Sequence, residues 1–470
     1  MKEILEMNTR TILAVTVACA ATLLHAEFKA GFARVDATPP LGIPMVGYFS
    51  KRNATEILDP LCVECVAVSD GVNTALIYSV DDLHLTNPFF KKAFPAITAA
   101  TGVPRDRIFV HSTHTHTGPA DWPRDSFTEE EKQLVMDYAN MRITRLADAG
   151  RMAIRDLAPS KVAIAKSKCE NISFIRRYRM KDGSVRTNPG TYNPNVKEAL
   201  GTPDEEVNLI RFRRTGAPDI AIVSFGTHTD TVSGTKISAD WPGVLRKTFE
   251  EGIGGGVKCL FLNGAQGDVN HIYRFPPAGR KNIAKKDIHK HMGRALAGVA
   301  MHVWDICEEV PAGKVNGIVA PTSMPANIPT ADEIRWVKLF DEGRKSEIPL
   351  SGMEIKTLTS RGSRVRKLMN GPDKFDILVS NLSIGDAIAF SGMPCEPFVD
   401  IGRAVKSQSP FRMTIATSLT NGSEGYIPST KAHHEGGYEG LSSRYAAPTG
   451  DRLVAAQLNQ LKTLKEQAAK

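Results

Sequence analysis

Short runs of β-branched and aliphatic residues recur along the chain, and each ends in polar or metal-capable side chains. Ala75 to Val80 runs into Asp81 and Asp82, Ile108 to Val110 into His111, His114 and His116, and Ile220 to Phe225 into His228. Lys258 to Leu262 leads to Asn263 and Asp268, Ala387 to Phe390 to Glu396, and Thr414 to Ala416 to Asn421 and Tyr426. Runs of this length and composition predict strands. All six deliver polar groups at one end, as an open sheet with its active site outside the carboxyl ends of its strands would. Strands commonly end in polar loops, so the pattern takes its weight from the residue types delivered: His, Asp, Glu and Tyr.

Between these runs the apolar spacing is helical. Ser126 and Glu129 form a Ser-x-x-Glu capping box ahead of an amphipathic stretch through Leu134, Tyr138, Met141 and Leu146, which predicts a helix covering the sheet. A second helix is expected from about Ile288 to Trp304, with His289, His291 and His302 as surface or packing residues. Residues Arg335 to Lys367 are charged and irregular in pattern and predict a surface excursion, and the tail from Asp451 predicts a terminal helix. No repeat and no Gly/Ser or Pro linker marks a boundary, so a single domain is expected over 27–470.

The leading segment differs from the rest. Lys2 and Arg10 precede an apolar run from Thr11 to Leu24 and a small residue, Ala26, which predicts a signal peptide over 1–26. That run is short of the ~20 residues of a membrane span. No later apolar stretch approaches that length, so a soluble protein of the periplasm or the extracellular space is expected.

Composition narrows the picture further. A chain that is 42% hydrophobic and 23% charged can bury a sizeable core. Its later cysteines, at 62, 65, 169, 259, 307 and 395, are too scattered for a disulfide scaffold. Cys62 and Cys65 form a single Cys-x-x-Cys in an extended segment, where they point to opposite faces and read as structural. The net charge of +8 favours anionic partners. Dispersed Lys and Arg, without a groove-reading motif, argue against nucleic acid and leave anionic lipid or polysaccharide, with at most peripheral membrane contact.

Candidate chemistry concentrates in His111-Ser-Thr-His114-Thr-His116-Thr-Gly-Pro119. On an extended backbone His114 and His116 share a face and His111 takes the other. Two such imidazoles bind zinc together, or one binds while the other meets substrate. A second block, Phe225-Gly-Thr-His228-Thr-Asp230, is followed by Ser238-Ala-Asp240. Catalytic zinc sites use about three or four His, Asp or Glu ligands and keep a place for water; His114 and His228 would supply two.

Together with Asn263 to Val269, Met393-Pro-Cys-Glu396-Pro-Phe398, Asn421-Gly-Ser-Glu-Gly-Tyr426-Ile427 and Gly437-Tyr438-Glu-Gly440, these blocks resemble, in the same order, those of the neutral, non-lysosomal ceramidases. The resemblance extends over about residues 31 to 450 and opens with Val35-Asp-Ala-Thr-Pro-Pro40. The strand pattern by itself fits several layered α/β architectures. The resemblance implies an α/β (α+β) fold of layered mixed sheets flanked by helices, with the active site at the carboxyl ends of the strands. It also implies a zinc ion held by His114, His228, Glu396 and Tyr426. In the same terms His116 and Tyr438 face the substrate carbonyl, and Arg176 lies near it, with Arg177 an alternative match.

The chain departs from the family in two ways. Asn270 stands where the family's Gly-Asp-Val-Ser-Pro has serine, and an amide is no nucleophile of that kind. The further β-rich domain that the resemblance implies after the catalytic region is not expected within residues 27–470. Zinc lowers the pKa of its bound water toward about 7, so zinc-activated water is the expected nucleophile, with His116, Tyr438 and Arg176 stabilising the oxyanion. Asp268 and Asp240 either orient the histidines or cap loops. The expected activity is hydrolysis of an amide, in an N-acyl lipid of the ceramide kind. The alternatives are another exported substrate (an ester, lactone or modified sugar) and a ligand-binding relative without turnover.

Overall fold

A computed structural model describes residues 27–276, 283–350 and 353–469. The expected signal peptide lies outside the described residues. The larger sheet contains β1 (Lys29–Asp36), β2 (Cys62–Ser69), β3 (Thr74–Val80), β4 (Ile108–Ser112), β5 (Ala158–Lys168), β6 (Glu206–Arg214), β7 (Ile220–Phe225), β8 (Lys258–Asn263) and β9 (Glu308–Val310). Its order is β8-β7-β6-β5-β1-β2-β3-β4, with β9 added on β5. A smaller sheet places β10 (Val315–Pro325), β11 (Lys374–Ile384), β12 (Ile388–Gly392) and β13 (Met413–Thr417) side by side in that order.

The two sheets face each other. Phe32, Val66, Ile77, Phe109, Ile222 and Leu262 of the larger sheet share one core with Leu382, Ile388, Phe390, Met413 and Ile415 of the smaller. Alternate residues of the same strands turn outward. Val63, Cys65, Leu76, Tyr78 and Val110 pack on α1 (Asn87–Thr101) and α2 (Glu129–Arg155). Val223, Phe225, Cys259 and Phe261 pack on α3 (Asp240–Ile253) and α4 (Ile288–Trp304). The helices Val399–Gln408 and Thr449–Ala469 cover the free face of the smaller sheet. The result is a helix, sheet, sheet, helix sandwich, as the expected fold class required. Burial on both faces is why its strands read as near-continuous apolar runs.

Within the two sheets pairing is antiparallel except for three pairs: β3 with β4, β7 with β8, and β12 with β13. These are the six strands whose runs end in polar residues. Four of them belong to one sheet and two to the other. Each parallel pair opens its two carboxyl ends side by side.

Close packing of α2 on β1 depends on Gly31, where a Cβ would lie 2.1 Å from the Ala153 carbonyl oxygen. Gly31→Ala is expected to destabilise the protein by at least about 1–3 kcal/mol, the usual cost of overpacking. Urea unfolding would check this, and an unchanged midpoint would mean that α2 gives way freely.

One local expectation is also corrected. The capping box that opens α2 is Thr128 with Glu131, not Ser126 with Glu129. Both pairs satisfy the pattern, but Thr128 accepts from the Glu131 amide, and Glu131 is further held by Lys51 and Asn53. The charged stretch expected to be a surface excursion is helical over much of its described length. It contributes to the helices Ala331–Asp341 and Met353–Leu368, which pack on a small core of their own that includes Val337, Leu358 and Val365. The cysteines among the described residues are free. No described helix is long and apolar enough to cross a membrane.

Candidate metal centre

Three histidines meet where the carboxyl ends of β4 and β7 run out. Beyond β4 the chain leaves extended geometry, and His114 sits at φ 72°, a left-handed conformation uncommon outside glycine. It is held there by its own amide, which donates to Asp82 O at 2.8 Å. The loops after β4 and β7 then run alongside each other through a bridge between Thr115 and Thr229, and the His116 amide donates to Thr229 O at 3.0 Å. Asn263 at the end of β8 ties both loops, its Nδ2 donating to Thr113 O and Thr227 O. The ligand atoms of His114, His116 and His228 all lie within 4.8 Å of one another.

Each of the three rings is oriented in the same way. His114 Nδ1 lies 2.9 Å from Leu83 O, His116 Nδ1 2.9 Å from Gly47 O and His228 Nδ1 2.8 Å from Gln266 O. A carbonyl only accepts, so these contacts assign the proton to Nδ1 and leave Nε2 as a lone pair. Gly47 is specific to this arrangement: its φ is 101°, and a Cβ there would come within 3.0 Å of the His116 ring. The Nε2 atoms of His114 and His116 face each other at 3.3 Å, two lone pairs with no proton between them. Burial pushes the His116 imidazole down to about 4, with His114 adding to the shift, and burial with Arg176 holds His228 well below its ordinary value.

Glu396 approaches the same point, its Oε2 3.3 Å from His114 Nε2 and 3.6 Å from His228 Nε2. Glu396 Oε2 is buried and accepts no hydrogen bond from the described residues. An orphaned carboxylate oxygen beside the facing lone pairs of a histidine cluster is uncomfortable in a bare protein. The same atoms form a nitrogen and oxygen donor set that suits zinc. The residues present therefore fit a metal ion.

Tyr426 is the register partner of Glu396 on short parallel strands. The Arg176 guanidinium lies 5.4 Å from its ring centroid, and the Tyr438 ring stands edge-on to it at 5.6 Å. Of the two consecutive arginines, Arg176 reaches the histidines: Nη1 is 2.9 Å from His228 Nε2, Nε donates to Glu439 and Nη2 to Gly267 O. An ion and Arg176 compete for that His228 lone pair. Arg177 instead donates to the Ala432 and Gly436 carbonyls.

The fold is that of the neutral ceramidases. The crystal structure of neutral ceramidase from Pseudomonas aeruginosa matches with a TM-score of 0.72 at 16% identity, covering 94% of this chain and 75% of that chain. A ceramidase complexed with C2 matches with a TM-score of 0.71 at 16% identity, covering 94% of this chain and 76% of its own. No family model and no curated protein sequence matches the chain. At this identity the likeness is one of fold.

On this ceramidase-like fold the remaining candidates fall elsewhere. Asn270 is buried; its Nδ2 donates to Asn188 and its Oδ1 accepts from the Ile272 amide. Asp268 accepts from the Val399 amide, and burial raises its carboxyl to about 6. Asp240 accepts from Thr231, Val232 and Trp241 amides. Both aspartates thus cap loops, and backbone carbonyls orient the histidines. His111 is locked between the Ser418 carbonyl and the Asn263 amide, away from the cluster. Residues without an assigned role in the sequence also matter: Glu439 anchors Arg176, and Asp230 pairs with His271 at 2.9 Å. Their only sequence signal was membership of the Gly-Tyr-Glu-Gly and Thr-His-Thr-Asp blocks.

Proposed function

We propose that the protein is an exported, zinc-dependent hydrolase that cleaves an amide bond, with an N-acyl lipid of the ceramide kind as its substrate. The observation that carries this reading is the cluster of His114, His116 and His228, with the orphaned Glu396 oxygen 3.3 Å from the first and 3.6 Å from the last, in a ceramidase-like fold. His114, His228, Glu396 and Tyr426 would hold the ion. When bound, zinc supplies acidified water and polarises a carbonyl.

The other residues divide by what their atoms can do. Arg176 and the Tyr438 hydroxyl are donors, fit to stabilise the oxyanion that develops as water attacks an amide carbonyl. His116 carries its proton on Nδ1, toward Gly47 O. Its Nε2 is therefore an acceptor, suited to a hydrogen bond from the attacking water rather than to the oxyanion. The Asn270 amide is committed to Asn188 and Ile272 and is no nucleophile, which leaves water to attack.

Zinc-loaded protein is expected to release octanoate from N-octanoylsphingosine, to lose that activity on chelation and to regain it with added zinc. Cleavage by protein shown free of metal would sink the metal reading. No cleavage by the loaded protein would sink the amidase reading.

A further inference from the structure

Residues 44–53 form a hairpin beside the histidine cluster, in which Pro44–Met45 pairs with Arg52–Asn53 and residues 46–51 make the tip. Backbone contacts anchor its base: the Ala120 amide donates to Pro44 O at 2.8 Å, and Met45 bridges Pro119. The tip is held differently. Tyr48 and Phe49 keep 42% and 55% of their surface exposed, and Phe49 meets the Tyr438 ring only edge-on at 6.0 Å. The ion pair of Lys51 with Glu131 is partly exposed, and such pairs contribute little. Yet Gly47 O, in this tip, is the acceptor that orients the His116 ring.

One guanidinium ties the tip down. Arg52 Nη2 donates to Val46 O and to His116 O, both at 2.9 Å, and Nη1 donates to Gly234 O in the loop after β7. The same group stacks over the Tyr48 ring, 3.8 Å from its centroid, and that ring stands edge-on to His116 at 5.9 Å. Arg52 therefore joins the carbonyl just before Gly47 to the carbonyl of His116 itself, across the bond between Gly47 O and His116 Nδ1. His114 and His228 rest instead on Leu83 O and Gln266 O, and Arg52 donates to neither.

We propose that Arg52 is a positioning residue for His116: its guanidinium holds the hairpin tip so that Gly47 O keeps the His116 proton on Nδ1 and Nε2 faces the water that attacks the amide. The role is one of geometry and not of charge. Its acceptors are three neutral carbonyls and a ring face, which a rigid planar fork reaches together and a flexible ammonium does not. Because the rings of His114 and His228 are oriented elsewhere, loss of Arg52 separates turnover from metal content. Sequence gave Arg52 no role, since its partners lie on segments after β4 and β7 that only the fold brings to the hairpin.

This inference rests on the amidase reading only for what His116 does once it is held. Arg52→Ala is expected to lower kcat for N-octanoylsphingosine about 10–100-fold, as freeing a group that orients another does, with KM within about twofold and zinc content unchanged. Arg52→Lys keeps the charge without the fork and should fall nearly as far. Guanidine, added below denaturing concentration, should restore part of the loss in Arg52→Ala. Two-bond proton–nitrogen correlation spectra of the zinc-loaded full chain with labelled histidines, assigned with His116→Gln, read the ring itself. His116 is expected as the Nδ1–H tautomer in the wild type, exchanging between tautomers in Arg52→Ala and recovering with guanidine. A His116 signal that Arg52→Ala leaves unchanged overturns the proposal, as does a loss of turnover that lysine prevents or that comes with loss of zinc. A His116 signal that changes and recovers in this way, in a protein that cleaves no amide, supports the positioning role and overturns the amidase reading.

Discussion

His114→Ala is expected to take the metal content from about one ion per chain to background and to lower amide hydrolysis by about a thousandfold or more. The substitution removes the lone pair that lies 3.3 Å from both Glu396 Oε2 and His116 Nε2, the centre of the donor set. A bound ion contributes several kcal/mol to such a reaction, and each ~1.4 kcal/mol is a factor of ten in rate. Folding should survive, because the loop is held by backbone bonds from His114 N, Thr113 N and His116 N that alanine preserves. His114→Gly sharpens the test. Glycine relieves the left-handed strain at φ 72°, so this variant should lose activity equally while matching or exceeding the wild type in stability. Elemental analysis with activity assays decides the matter. Full metal content in both variants would place the ion elsewhere.

The second large effect is expected at Arg142, on the inner face of α2. Its guanidinium is buried between the rings of Phe89, at 4.9 Å, and Tyr138, at 4.8 Å, and pairs with the buried carboxylate of Asp82. Arg142→Leu strands that carboxylate without its partner, a loss of about 3–5 kcal/mol. Asp82→Asn in the same background should recover part of it, since no buried charge then remains. Asp82 O and Leu83 O accept from the amide and Nδ1 of His114, so the damage should reach the metal. A fall of about 10–100-fold in metal affinity is expected, as for other groups that orient a ligand. Urea unfolding and a metal titration would check both effects. Little change in either would show that α2 closes over this pair without needing its charge.

Much of this protein was legible in the chain because its patterns are local. A strand buried on both faces reads as an apolar run whatever it pairs with, so β3, β4, β7, β8, β12 and β13 were visible, as were the polar groups after them. Pairing was not visible, because period-two alternation is the same for a neighbour in one sheet or in another. The capping box of α2 failed for a related reason: Ser126 with Glu129 and Thr128 with Glu131 fit one pattern, and only the contacts of Glu131 with Lys51 and Asn53 separate them.

The candidate site divides along the same line. Histidines at strand ends and a later glutamate and tyrosine could be named from residue type and order. An extended backbone put His114 and His116 on one face, yet the chain leaves that geometry at His114 itself. They meet because Thr115 bridges Thr229 and because Leu83 O, Gly47 O and Gln266 O fix the three rings. Nothing in Asn171 to Arg177 shows which arginine turns toward His228, and nothing joins His271 to Asp230. The sequence by itself determined the strands, most of the helices and the chemical types at their ends, since side-chain periodicity and residue identity are properties of neighbours along the chain. Tertiary structure alone decided which of those groups share a point in space, because that depends on hydrogen bonds and burial between segments that only the packed sheets and helices bring together.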